Sequence, residues 1–314
     1  MLVLIVIMLV SCGKPAISIE TFSPAESITP TLTMVSMPKT TPSPTITSTA
    51  IPTLTVEQAR TRLLDLLASN GDCALPCLWG ITPGVSNYQD ARTILEPLIS
   101  ISRSTHFGAV SPDDISPLYI EGDLTIGTTV AYLYAANDGV VNSIAFQVNA
   151  SQENSDGYID VFDSEIFGKH VGAYALSHIL SEHGVPEAVL VSTDGGGERG
   201  KNVPGFYMLL FYPDQGLLVS YTTYRQLVDG NVRGCLANAH IELRLFSAGR
   251  PDTFAKGLAQ TKWKNLWPVP ADSPHWKSVD VATSMSLEQF YEIFHQPTEE
   301  CVDTPVNLWP VSEP

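Results

Sequence analysis

Five cysteines, at positions 12, 73, 77, 235 and 301, carry the most specific chemistry in this 314-residue chain. A thiol can take a lipid, ligate a metal or close a disulfide. With Cys12 set aside for a role argued below, four remain, and four cysteines allow three pairings. Cys73 with Cys77 is the expected first pair, because a turn containing Pro76 can hold two Cα atoms within about 4.4–6.8 Å. Cys235 would then join Cys301 across a loop of about 65 residues, for roughly 4 kcal/mol in the chain-entropy description. That bridge is expected to staple a C-terminal helix onto a sheet. Zinc is the competing use of the same thiols, since Cys73 and Cys77 have finger-like spacing and His178 and His183 lie five apart. In zinc fingers the two ligand pairs are close in sequence, whereas here about a hundred residues intervene. His178 also falls on the apolar stripe of its helix and reads as a core histidine. Asp156, Asp160, Asp163 and Glu165 lack the alternation and central Gly of a calcium loop and read as a solvated acidic segment. No metal site and no cofactor are expected.

Catalytic motifs fail on their settings. Gly195, Gly197 and Gly200 match the dinucleotide fingerprint, but that chemistry needs the loop to open a helix. Here the loop runs between two strand-like segments through Lys201 and Pro204. No Gly-x-Ser-x-Gly elbow, phosphate loop or His-Glu-x-x-His helix occurs, so no catalytic residue is named. A carboxylate pair for glycan hydrolysis need not be close in sequence, which keeps a secreted hydrolase of glycans or peptides as the second reading. Trp263, Trp267 and Trp276 crowd one segment with Pro268, Pro270 and Pro274. They read either as large side chains covering a sheet or as an aromatic platform for sugar or peptide.

The chain's address lies at its front. Residues 1–10 are apolar throughout, too few to cross a hydrocarbon core of about 30 Å. They fit the apolar region of a secretory signal. Leu9, Val10, Ser11 and Cys12 then resemble the bacterial lipobox, although no Lys or Arg precedes the apolar run. The resemblance implies removal of residues 1–11 and lipidation of Cys12. Residues 13–55 hold 11 Thr, 6 Ser and 7 Pro among 43 positions, too few apolar groups to offset the entropy of ordering. They read as a disordered stalk, on the order of 130 Å when fully drawn. Lys14 and Lys39 balance Glu20 and Glu26, so the net charge of −16 falls on residues 56–314. Acidic residues outnumber basic ones 33 to 17, which argues against nucleic acid and against docking on anionic lipid by charge.

Residues 56–314 read as an α+β domain, an antiparallel sheet with helices on one face. Capping boxes at Thr55–Gln58, Ser86–Gln89 and Ser286–Gln289 start three helices. Val171, Tyr174, Ala175 and Ile179 mark a further one, closed by Gly184 and Pro186. Leu287, Phe290, Tyr291 and Phe294 give the cleanest amphipathic spacing, in a C-terminal helix ended by Pro297. Residues 129–136 and 140–148 read as one hairpin around Gly139, and 206–212 and 217–224 as another around Gly216. Extended segments at 118–120 and 188–192 precede them, and a further strand is expected at 241–246. Helix, strand and hairpin thus recur in residues 82–150 and 168–225, an expected internal duplication, followed by a C-terminal extension at 226–314. This order is similar to that of the outer-membrane assembly lipoprotein BamE and the β-lactamase inhibitor protein, both built from helix-plus-antiparallel-sheet units. The stretch Pro76 to Gly84 also looks like one found in bacterial lipoproteins with the same stalk. Neither likeness brings a catalytic residue. The expectation is a lipoprotein tethered to the extracytoplasmic side of a cell membrane, with a non-enzymatic domain that binds an envelope protein or glycan.

Overall fold

The structure is a computed structural model and describes residues 54–101, 104–105, 116–120, 128–137, 139–154, 157–160, 171–193, 204–237, 239–270, 273–297 and 301–310. Apolar runs between turn signals form the strands, and successive side chains point to opposite faces with a period of two. They are β1 (Ser104–Thr105), β2 (Ser116–Ile120), β3 (Thr128–Asn137), β4 (Val140–Asn154), β5 (Gly157–Asp160) and β6 (Ala188–Thr193). After these come β7 (Pro204–Tyr212), β8 (Leu217–Val228), β9 (Asn231–Cys235), β10 (His240–Phe246), β11 (Lys277–Ser278) and β12 (Cys301–Pro305). The main sheet runs β1-β2-β3-β4-β10-β8-β7-β6-β11, and every neighbouring pair is antiparallel. Beyond it, β5 pairs with β4, and β9 bridges the far end of β8 to β12.

Register divides this sheet into two faces. Phe146, Leu243, Val219, Leu210 and Val189 are successive cross-strand partners, and all lie in the larger core. One residue along, Gln147, Glu242, Ser220, Leu209 and Leu190 form the next row, on the opposite face. The larger core is covered by α1 (Val56–Ser69), α2 (Tyr88–Leu95), α3 (Leu176–His183), α5 (Val279–Thr283) and α6 (Leu287–Phe294). On the other face α4 (Pro251–Leu258) and the segment holding Trp263 and Leu266 pack on Leu190, Leu209, Phe211 and Leu218. The fold is the expected α+β class, an antiparallel sheet with most helices packed on one face and α4 added on the other. Residues 49–314 form one compact unit.

Local chemistry sets the helix starts. Thr55 and Ser286 make the expected capping boxes with Gln58 and Gln289. Ser86 does not cap α2. Its hydroxyl accepts from Thr82 N–H, and Asn87 caps the helix by accepting from Asp90 N–H. Gly84 reaches this corner at φ +81°, where a Cβ would collide with the Ser247 side chain. Its N–H donates to Val141 O at 2.6 Å and Tyr88 N–H donates to Gly139 O at 2.7 Å, which lays the start of α2 against the hairpin. Ahead of α3, residues Gly172–Tyr174 form a separate 3-10 turn, so that helix starts later than its apolar spacing suggests.

The order helix, strand, hairpin does occur twice, as α2, β2, β3–β4 and as α3, β6, β7–β8. The two units do not share one handedness. β4 and β8 flank β10 and are both antiparallel to it, so they run parallel to each other while their meanders approach from opposite sides. A rotation exchanging those meanders would carry one helix to the other face of the sheet, yet α2 and α3 feed the same core. Among the described residues the expected order therefore recurs without the two units superposing as one repeat. The shared order reflects packing a helix beside each antiparallel run.

Both expected disulfides are formed, Cys73–Cys77 with Cα atoms 5.8 Å apart and Cys235–Cys301 with Cα atoms 4.1 Å apart. The second bridge does not hold the C-terminal helix directly. Cys235 and Cys301 are register partners of β9 and β12, so it joins two strands, of which β12 follows the end of α6.

Candidate functional site

An open trough lies along the outer face of α1. Helical spacing sends Glu57, Gln58, Thr61, Arg62 and Asp65 away from the buried stripe of Ala59, Leu63, Leu66 and Leu67. With Leu54, Thr93, Ile94 and Pro97 they line a trough of about 650 Å³. Leu54, Ile94 and Pro97 supply apolar surface, while the α1 side chains supply donors and acceptors of both signs. Glu57 is held 3.6 Å from Arg60 on the same helix. A trough with this mixture can take an extended segment and hydrogen-bond its flanks.

The C-terminal end of α1 is locked by one amide. Asn70 takes the left-handed backbone at φ 55° that ends the helix. Its Nδ2 donates to Cys73 O at 2.5 Å and Cys77 O at 2.9 Å, and its Oδ1 accepts from Trp79 N–H at 3.3 Å. Tyr174 Oη donates to the same Oδ1 at 3.2 Å and accepts from Trp79 Nε1 at 2.9 Å. Burial holds the Tyr174 phenol well above its ordinary pKa, against a smaller opposing effect of the Trp79 hydrogen bond. The hydroxyl therefore stays a donor. This network fixes the small disulfide loop beneath the core, and it gives no exposed reacting group.

The three singled-out tryptophans sit over the second face of the sheet. Trp267 stacks on Phe211 at 5.2 Å and meets Phe254 edge-on at 5.8 Å. Trp263, 7% exposed, meets Trp276 edge-on at 5.7 Å. Lys262 Nζ lies 4.5 Å above the Trp263 ring and donates to Glu242 Oε2 at 2.6 Å, while Arg244 Nη2 donates to Glu242 Oε1 at 2.6 Å. Burial pushes the Glu242 carboxyl up, but the charges of Arg244 and Lys262 and their hydrogen bonds outweigh it, so the group is held below its usual value. The aromatic faces are spent on one another and on the sheet.

Cys12 and the fingerprint glycines Gly195, Gly197 and Gly200 lie outside the described residues. Asp156, Asp163 and Glu165 do so as well, and Asp160 is placed only as the end of β5. The strands flanking the glycine loop pair antiparallel, so that loop joins strand to strand. His178 is half-exposed and not a core residue, whereas the His183 side chain is 4% exposed. Asn70, Glu242 and the α1 trough had no sequence signal, because each depends on which distant segments meet. In comparisons with known proteins, the chain matches no family model, no curated protein and no solved structure.

Proposed function

We propose that the chain is an extracytoplasmic lipoprotein, anchored through a lipid on Cys12, whose folded unit binds an extended segment of an envelope protein. The observation that carries the binding role is the open trough over α1, with apolar surface at Leu54, Ile94 and Pro97 flanked by side chains of both charges. Two disulfides support an oxidising compartment outside the cytoplasm. A protein partner is favoured over a glycan because Trp263 and Trp267 use their faces in packing. Leu54, which lines the trough, directly follows the Ser/Thr/Pro-rich residues in the sequence.

Two experiments test this. Wild type expressed in a bacterium should incorporate labelled palmitate and partition into detergent, and Cys12→Ser should do neither; equal labelling of both would remove the anchor. Envelope proteins crosslinked through a photoreactive group at Thr61 should be lost when Ile94→Arg fills the trough. Unchanged capture, or turnover of glycan or peptide by the folded unit, would favour the hydrolase instead.

A further inference from the structure

The backbone on both sides of the smaller disulfide is strained. Asn70 at φ 55°, Asp72 at 59° and Trp79 at 57° take the left-handed region, three of the five non-glycine residues that do so among the described residues. For a side chain as bulky as that of Trp79 the conformation is unfavourable. The chain thus enters the ring closed by Cys73 and Cys77 through one such residue and leaves it through another. Conformations of this kind persist only where other contacts hold them, and they cluster at clamps and switches. Here the bridge itself does so, together with the Asn70 amide, whose Nδ2 donates to Cys73 O and Cys77 O.

The two sulfurs, not the amides around them, are the reacting atoms. Both cysteines are half-buried, and Gly71, Asp72, Ala74 and Gly80 beside them are exposed. Gly80 N–H donates to Cys73 Sγ at 3.4 Å, and Asn70 O lies 3.3 Å from the same atom. The N–H would stabilise a thiolate on Cys73, and the carbonyl would accept from the thiol formed once it takes a proton. Cys73 is therefore the better leaving group, since exchange is faster when the departing thiolate is stabilised.

We infer that Cys73–Cys77 is a thiol–disulfide exchange site for a dithiol reductant, and that its reduction frees the C-terminal end of α1. A thiolate of the reductant attacks Cys77 Sγ, the S–S bond breaks, and Cys73 departs as a thiolate. The reductant's second thiolate then attacks the reductant sulfur of the mixed disulfide, which releases Cys77 and leaves the reductant as a disulfide. Two electrons pass to the cysteine pair, and the two protons lost by the reductant's thiols balance the two that the cysteines take up. Opening the ring lets Asp72 and Trp79 relax, which favours the reduced form. Cys235 and Cys301 offer no such gain. They are register partners in a ladder, with Arg233 and Asp303 paired two positions along, so their backbones stay held when the bridge is open. The exchange site does not depend on the trough over α1.

The test equilibrates the full chain in detergent with graded ratios of reduced to oxidised dithiothreitol, then alkylates the free thiols and maps them by mass. Cys73–Cys77 should open at a ratio on the order of tenfold lower than Cys235–Cys301 does. Brief exposure to the monothiol mercaptoethanol, quenched in acid, should leave its adduct on Cys77. In the partly reduced chain hydrogen exchange should rise at residues 66–70, while β9 and β12 stay protected. Opening of Cys235–Cys301 first, or of both bridges together, would overturn the exchange site. An adduct on Cys73 would overturn the direction of attack, and unchanged exchange at residues 66–70 would overturn the release of α1.

Discussion

Asn70 and Tyr174 show how one residue can set a local structure that no motif announces. Four groups from the disulfide loop, Trp79 and Tyr174 meet on a single amide, so Asn70→Ala leaves several buried partners unsatisfied at once. Tyr174→Phe is the cleaner probe, since it removes one hydroxyl and with it the hydrogen bond from Trp79 Nε1. It should cost about 1–3 kcal/mol in urea unfolding, and an unchanged midpoint would show the network to be dispensable. Glu242 makes a second prediction at this scale. Its pKa is depressed in the folded chain, so its stabilisation is fully present above the unfolded value near about 4.3 and is lost as pH falls through the folded value. The stability gap between wild type and Glu242→Gln should therefore narrow as urea melts are taken from pH 6 toward pH 3. A constant gap would mean that packing, not charge, accounts for it. The sequence pointed to Trp263 but not to Lys262 and Glu242 beneath it, twenty residues apart.

Among the elements, β12 is the one whose attachment is most easily tested. Among the described strands it pairs only with β9, and the Cys235–Cys301 bridge links positions at a sequence separation of 66. Replacing both cysteines with Ala should lower stability by about 2–4 kcal/mol. Hydrogen exchange should rise first in β12, because α6 keeps its own capping box and buries Phe290 and Phe294 without the bridge. Equal loss in β12 and α6 would mean that the two unfold as one. Ser286→Ala, by comparison, should cost about 1 kcal/mol and loosen α6 alone. Elements with periodic apolar residues and local start signals were legible, α1 and α6 above all. β9, β12 and α4 were not. Both strands have only five residues, β12 is held by a partner about seventy positions away, and α4 offers only Pro251 at its start and the pair Phe254 and Leu258. Which face α4 covers is settled by register, which no single segment encodes.

Across the whole molecule, β10 decides the architecture, because this strand from the C-terminal third inserts between the two meanders and joins them into one sheet. The chain order of the meanders was readable, but their junction was not, since it requires a strand that follows both. The net charge of −16 acts at the same scale. Many of the scarce cations are already committed, in pairs such as Arg233–Asp303 at 2.7 Å, Arg244–Glu242 at 2.6 Å and Lys256–Asp252 at 3.4 Å. The acidic excess therefore repels itself across the surface, and compaction strengthens that repulsion. Salt should relieve it, since the screening length shortens from about 30 Å at 10 mM to about 8 Å at 150 mM. Exposed ion pairs weaken over the same range but contribute little individually. Tm should accordingly rise between 10 and 150 mM NaCl, each 1 kcal/mol gained appearing as roughly 2–4 °C. A fall would show that the ion pairs outweigh the acidic excess, and the surface charge would then be a stabilising pattern rather than a cost offset by the core.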